Sequence, residues 1–171
     1  MAADIDIARE LGADGVVFGC LRPDGSLDTE ANAMLMEHAK GLSVTFHRAF
    51  DRCADPRKAL EELIAQGFDR ILTSGQQPTA LEGTPLLKEL HEQANGRIIL
   101  LAGCGVNEQN IATIAQATAI HEFHFSARTA VKSKMMFSNP DVYMGAKDAD
   151  EDTLNITSAE RVANTIAQLC K

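Results

Sequence analysis

With 171 residues, 45% hydrophobic and 23% charged, the chain is long enough to bury one core without disulfides or a structural metal. It carries no low-complexity tract and no apolar run near the ~18 residues of a membrane span, which excludes disordered, fibrous and transmembrane classes. Its 16 Lys and Arg against 24 Asp and Glu leave a formal charge of −8, which argues against broad binding to nucleic acid or to an acidic membrane surface.

Read in chain order, the first residues, MAADIDIARELGADG, scatter charge among apolar side chains and lack the long apolar stretch of a secretory signal. A cytoplasmic home is expected, extending to the nucleus in a eukaryote. Ile7, Ala8 and Leu11 give a helix over about 4–11. A strand follows at 15–20, and Asp28 caps the next helix. Strand 42–47 leads to Asp55-Pro56, which opens a helix with Ala59, Leu60, Leu63 and Ile64 on one stripe and Gly67 as its stop. Strand 70–74 is followed by a helix opened by Thr84-Pro85, carrying Leu86, Leu87, Leu90 and Ala94, with Gly96 just beyond. Strand 98–102 precedes a helix capped by Asn107, and strand 120–125 comes next. The stretch over about 128–156, including Lys132-Ser133-Lys134 and the acidic residues 148–152, lacks clear periodicity and reads as a long surface loop. Thr157-x-x-Glu160 is a capping box ahead of Val162, Ile166 and Leu169.

Helices and strands alternate, so the fold class is α/β with a parallel sheet, either doubly wound or a (β/α) barrel. Ser43, Thr45 and His47 share one strand face, and Glu122, His124 and Ser126 oppose Phe123 and Phe125. One-sided polarity favours a TIM (β/α) barrel, because a doubly wound sheet is apolar on both faces.

Ligands of parallel α/β folds meet the carboxyl ends of strands. His47, Arg48 and Asp51 put a base, a fixed cation and a carboxylate within five residues, which suits proton transfer or a hydrogen-bonded pin for the loop. His124 with Ser126 is a second candidate of this kind. Gly103-Cys104-Gly105 before a helix start, helped by Thr73-Ser74-Gly75 and by Ser126 to Arg128, can cradle an anion, or else the glycines only permit a tight turn. Glu122 and Arg70 sit earlier in their strands and are expected to form a buried ion pair. Cys20, Cys53, Cys104 and Cys170 lack any CxxC pair and suit free thiols in a reducing compartment. Cys20 and Cys104 end strands on the same rim and are candidate ligands for Cu(I), with packing as the alternative. A helix N-terminus makes Cys104 the stronger of the two. Met135, Met136 and Met144 are further soft donors or gap-fillers.

Val44-Thr45-Phe46-His47-Arg48-Ala49-Phe50-Asp51, followed by Ile71-Leu72-Thr73-Ser74-Gly75, Ala102-Gly103-Cys104-Gly105-Val106 and Glu122-Phe123-His124-Phe125-Ser126-Ala127-Arg128, closely resembles the CutC copper homeostasis protein family in order and spacing. The similarity runs from about Ala8 to the final helix and takes in Phe137-Ser138-Asn139 and Met144-Gly145-Ala146. The resemblance implies a TIM-type barrel, an intracellular location, a homo-oligomer (dimer or tetramer) and an association with copper as Cu(I). It also implies a barrel mouth suited to an unassigned enzyme activity. Two departures qualify it. The family's first three strands and helices have no counterpart here, so the barrel is expected to be incomplete, at about five of eight βα units, and most cysteines proposed as copper ligands in relatives have no equivalent. Cys104 stands where many relatives have another small residue.

Three functions follow as expectations: a copper homeostasis protein binding Cu(I), an enzyme acting on a small anionic or phosphorylated metabolite, and an assembly or regulatory subunit without a complete site. Five strands of an interrupted barrel would expose edges and favour self-association.

Overall fold

The computed structural model describes residues 1–137, 139, 141–142, 145, 150 and 152–170. Helix α1 (Ala2–Glu10) precedes β1 (Gly15–Phe18), α2 (Thr29–His38), β2 (Ser43–Phe46), a 3-10 turn (Arg48–Arg52), α3 (Pro56–Gln66), β3 (Arg70–Thr73) and α4 (Thr84–Ala94). There follow β4 (Ile99–Gly103), α5 (Ile111–Thr118), β5 (Glu122–His124), β6 (Arg128–Lys132), β7 (Thr153–Thr157) and α6 (Ala159–Ala167).

Strands β1 to β5 form one parallel sheet in sequential order, so every carboxyl end meets the same rim. One face of the sheet buries Phe18, Val44, Phe46, Ile71, Leu100 and Ala102 against apolar residues of the helices, among them Leu35, Leu60, Leu63, Leu87, Leu90 and Ile114. Helices α1 to α5 pack on one another in order. That winding belongs to a (β/α) barrel. The other sheet face is the lumen side, and its Val17 and Ile99 are exposed because the ring does not close.

Local chemistry explains the boundaries. Asp28 and Asp55 accept the amides of Ala31 and Lys58, satisfying helix donors that have no intrahelical partner. Gly67 ends α3 in the left-handed conformation. Three expected boundaries shift. The left-handed stop after α4 is Asn95 rather than Gly96. Asn107 caps only a preliminary turn through the Gln109 amide, and α5 begins at Ile111. Ser158, not Thr157, caps α6 by accepting the Arg161 amide.

The segment expected as a loop over about 128–156 is corrected at both ends: β6 and β7 pair antiparallel, with Val131 opposite Leu154 and Thr129 opposite Ile156. The Ser158 amide donates to the Ala127 carbonyl, and Arg161 joins Glu108 to the Arg128 carbonyl, so the ribbon base and α6 are anchored to the start of α5. The Arg70–Glu122 pair forms, at 2.8 Å, but about a third of each side chain is exposed, because the open lumen admits water where a closed one would not.

Candidate functional site

The turn after β2 is organised around the Asp51 carboxylate, whose side chain is only 7% exposed. Its Oδ1 accepts the Thr73 hydroxyl at 2.6 Å, the Ser74 amide at 3.0 Å and the Gln76 amide at 3.2 Å. Its Oδ2 accepts Arg48 Nε at 2.7 Å and lies 3.0 Å from the Ser74 hydroxyl, which shares its one hydrogen with the Gln77 carbonyl at 2.6 Å. Asp51 therefore organises the loop: its lone pairs are spent on positioning. Thr73 and Ser74, expected to offer hydroxyls to a ligand, are fully buried in this network, and Thr73 also accepts the Gly75 amide.

Arg48 is positioned by the same network. One terminal nitrogen donates to Ser74 Oγ at 3.0 Å, Nε is held by Asp51, and 43% of the side chain stays exposed at the rim. Asp51 holds the guanidinium pKa above its ordinary value through this bond and its charge, and the Cys104 thiol beside it acts in the same direction.

His47 caps the 3-10 turn, with Nδ1 accepting the Ala49 amide at 3.3 Å. The neutral ring then carries its proton on Nε2. The ring also meets Phe46 edge-on, with centroids 5.9 Å apart.

Cys104 lies between Gly103 and Gly105 in a left-handed conformation, φ +81°, and its thiol donates to the Pro78 carbonyl at 3.0 Å. Its carbonyl accepts the Ala80 amide, so the loop after β4 is tied to the loop after β3. Gly103 is needed for close packing, since a Cβ there would meet Leu72 at 2.5 Å. The Gly105 carbonyl accepts the side-chain amides of Asn107 and Asn110, which fold the turn ahead of α5. His124, Ser126 and Arg128 are exposed at and beyond the end of β5; the Ser126 carbonyl accepts the Thr157 hydroxyl, and among the described residues the Arg128 guanidinium has no partner.

The structure thus brings together Arg48, Asp51, Thr73, Ser74 and Cys104 from three strand ends. It does not bring together Cys20 and Cys104. Two strands separate theirs, which is about 14 Å along a sheet. Cys20 is held in another loop, its backbone paired with Asn32 at 2.9 and 3.1 Å, and burial with Asp28 nearby pushes its thiol pKa up. Burial pushes Cys53 to about 11. Among the described residues no group of three or more His, Cys, Asp or Glu side chains is placed to hold a metal ion, and Cys104 faces a guanidinium, which opposes a second cation. These residues do not fit a copper centre. Met135 and Met136 are exposed near the ribbon tip, and Met144 lies outside the described residues.

Gln76 was not foreseeable as part of this site. In left-handed backbone, φ +56°, it gives its amide to Asp51 and its side chain to the Cys53 carbonyl at 2.7 Å. The signal present was the turn chemistry of Ser-Gly-Gln-Gln-Pro.

Comparison with known proteins agrees with this frame. A profile of the CutC family matches residues 1–129. CutC family proteins of Bacteroides thetaiotaomicron and Porphyromonas gingivalis (strain W83) are 61% and 50% identical over 167 residues, which is 97% of this chain and 67% of each relative. The crystal structure of CutC from Streptococcus agalactiae matches with a TM-score of 0.69 and 37% identity, over 72% of this chain and 60% of that one. A KDPGal structure matches 99% of this chain and 65% of its own with a TM-score of 0.59 at 15% identity, a likeness of fold alone. The chain spans about two thirds of the length of its sequence relatives. By sequence, fold and strand-end arrangement together, the chain belongs to the CutC family.

Proposed function

We propose that the strand-end rim binds a small anionic or phosphorylated metabolite, and that the chain does so in the cytoplasm. The observation that carries this reading is Arg48: a guanidinium immobilised by Asp51 and Ser74, still 43% exposed at the mouth. A pre-positioned guanidinium loses little entropy on meeting an oxyanion and offers planar donors to it. Exposed Arg128 adds a second cation beyond the end of β5, and His124 and His47 add imidazoles near the rim. His47 is the candidate proton carrier through Nε2, and Gly105 leaves the neighbouring backbone uncrowded.

The test is a titration with inorganic phosphate, followed by thermal shift and by isotope-edited NMR. The expected result is saturable stabilisation that Arg48→Ala reduces at least tenfold in affinity, while Arg128→Ala reduces it less. Equal binding by the Arg48→Ala protein would overturn the reading.

A second reading is favoured by one comparison, since the name of the S. agalactiae relative assigns it to copper homeostasis. Here Cu(I) is cargo, carried by the half-exposed Cys104 thiol and a ligand supplied from outside the chain. Competition with a chromogenic Cu(I) chelator tests it: one equivalent held by the native protein and none by Cys104→Ser supports it, and unchanged binding by that variant rejects it.

A further inference from the structure

Both edges of the parallel sheet are open, since β1 pairs only with β2 and β5 only with β4. Each open edge comes with apolar surface from its flanking helix. Beside β1, Val17 is 61% exposed, Ile7 and Leu11 of α1 are exposed, and Met1, Ile5, Val16 and Phe18 help line a cavity of about 210 Å³. Toward the chain's other end, α6 buries Thr165 completely yet exposes Ile166 and Leu169, one residue and one turn further along the same apolar stripe.

The sheet is an arc. Arg70 on β3 reaches Ser43 on β2 at 3.0 Å and, across β4, Glu122 on β5 at 2.8 Å, so lumen-facing side chains converge. Five strands on such an arc leave room for three more in a ring of eight. Length points to the same number. The aligned residues are 67% of the B. thetaiotaomicron relative, which leaves about 80 of its residues unmatched, and three βα units of a barrel of about 250 residues need about that many.

We infer that the β1 and β5 edges, with the exposed faces of α1 and α6, form one docking surface for a partner of three βα units, the counterpart of the unmatched third of the CutC relatives. That partner adds a parallel strand to each edge and covers Val17, Ile7, Leu11, Ile166 and Leu169. A second copy of this chain is the poorer occupant: it brings five strands to a gap of three. The inference is independent of anion binding at Arg48.

The test is co-production of the intact chain with the roughly 80-residue unmatched part of the B. thetaiotaomicron relative as a separate polypeptide. Size-exclusion chromatography with light scattering is expected to show a 1:1 complex, and hydrogen exchange to show amides of residues 15–18 and 122–124 slowed at least tenfold against the chain alone. Val17→Lys, at an exposed position, is expected to keep the native circular dichroism and weaken the complex at least tenfold. The same 80 residues fused ahead of Met1 serve as the control for compatibility of the two pieces. The inference is overturned by a fused protein protected at both edges with no complex between separate chains. It is equally overturned by a fused protein with either edge unprotected, or by a homodimer of the chain alone that protects those strands.

Discussion

The Thr73 hydroxyl lies 2.6 Å from Asp51 Oδ1 and at the same time accepts the Gly75 amide at 2.9 Å, so one buried oxygen joins the turn after β2 to the turn after β3. Removing it by Thr73→Val leaves two buried groups without a partner, and each such group destabilises by about 1–3 kcal/mol. Urea unfolding is expected to show a loss of about 2 kcal/mol or more, with the m-value unchanged. Asp51→Ala, which strands Thr73, Ser74 and Gln76 donors together, is expected to lose more. A Thr73→Val loss below about 0.5 kcal/mol would contradict this account of the network.

Gly83 packs against the backbone of the turn after β3: a Cβ there would collide with the Ser74 carbonyl. Its φ is −81°, so sterics and not handedness fix it as glycine. At Gly12 the reverse holds, with φ +81° and open space. Gly12→Ala is expected to destabilise by about 1 kcal/mol and Gly83→Ala by at least 2–3 kcal/mol, read from thermal and urea melts. Equal effects would show that the close approach is relieved by a loop shift.

Cys53 is 6% exposed, and burial raises its thiol pKa from 9.0 to about 11. Because the folded chain holds this proton more tightly than the unfolded one, the contribution to stability is complete below pH 9 and fades as pH rises from 9 toward 11. Iodoacetamide at pH 8 is expected to label exposed Cys170 and half-exposed Cys104 well before Cys53, as followed by peptide mass spectrometry. Early labelling of Cys53 would argue against its burial.

Arg70 and Glu122 pair across the lumen face with about a third of each side chain in water. Solvent screening limits such a pair to about 1 kcal/mol or less. A double-mutant cycle with Arg70→Met and Glu122→Gln is expected to return a coupling in that range. A coupling above about 2 kcal/mol would mean that the lumen is dry in solution, as on closure of the ring.

Glu61 on α3 receives Arg97 at 2.7 and 2.9 Å and Gln93 at 2.9 Å, which hold its carboxyl near 2 instead of 4.5. The folded value is depressed, so this contribution to stability is present above pH 4.5 and is lost as pH falls toward 2. Carbon-detected NMR is expected to find Glu61 ionised at pH 3, where other exposed glutamates are protonated.

Much of the frame was legible because its periods are local. The five parallel strands stand where short branched runs end in Gly, Ser or His, and Asp28 and Asp55 announce their helices. The ribbon was not legible. Its alternating positions, Thr129 and Val131 on one strand and Leu154 and Ile156 on the other, are about twenty residues apart, and neither five-residue run is buried enough to show a clear pattern. The site was legible by composition and not by role. Asp51 looked like a reacting carboxylate because its partners, Thr73, Ser74 and Gln76, lie more than twenty residues away, and only the fold shows them consuming its oxygens. Arg48, one of three neighbouring candidates, emerges as the cation that this arrangement leaves facing outward.

At Cys104 the backbone asks for a residue without a side chain, with φ +81° and glycines on either side. Holding a side chain in that region costs roughly 1–3 kcal/mol, so a one-step change to glycine would relax the turn. The rim sulfur is therefore exposed to easy genetic loss: without some advantage from its chemistry, drift toward a sturdier fold would remove it.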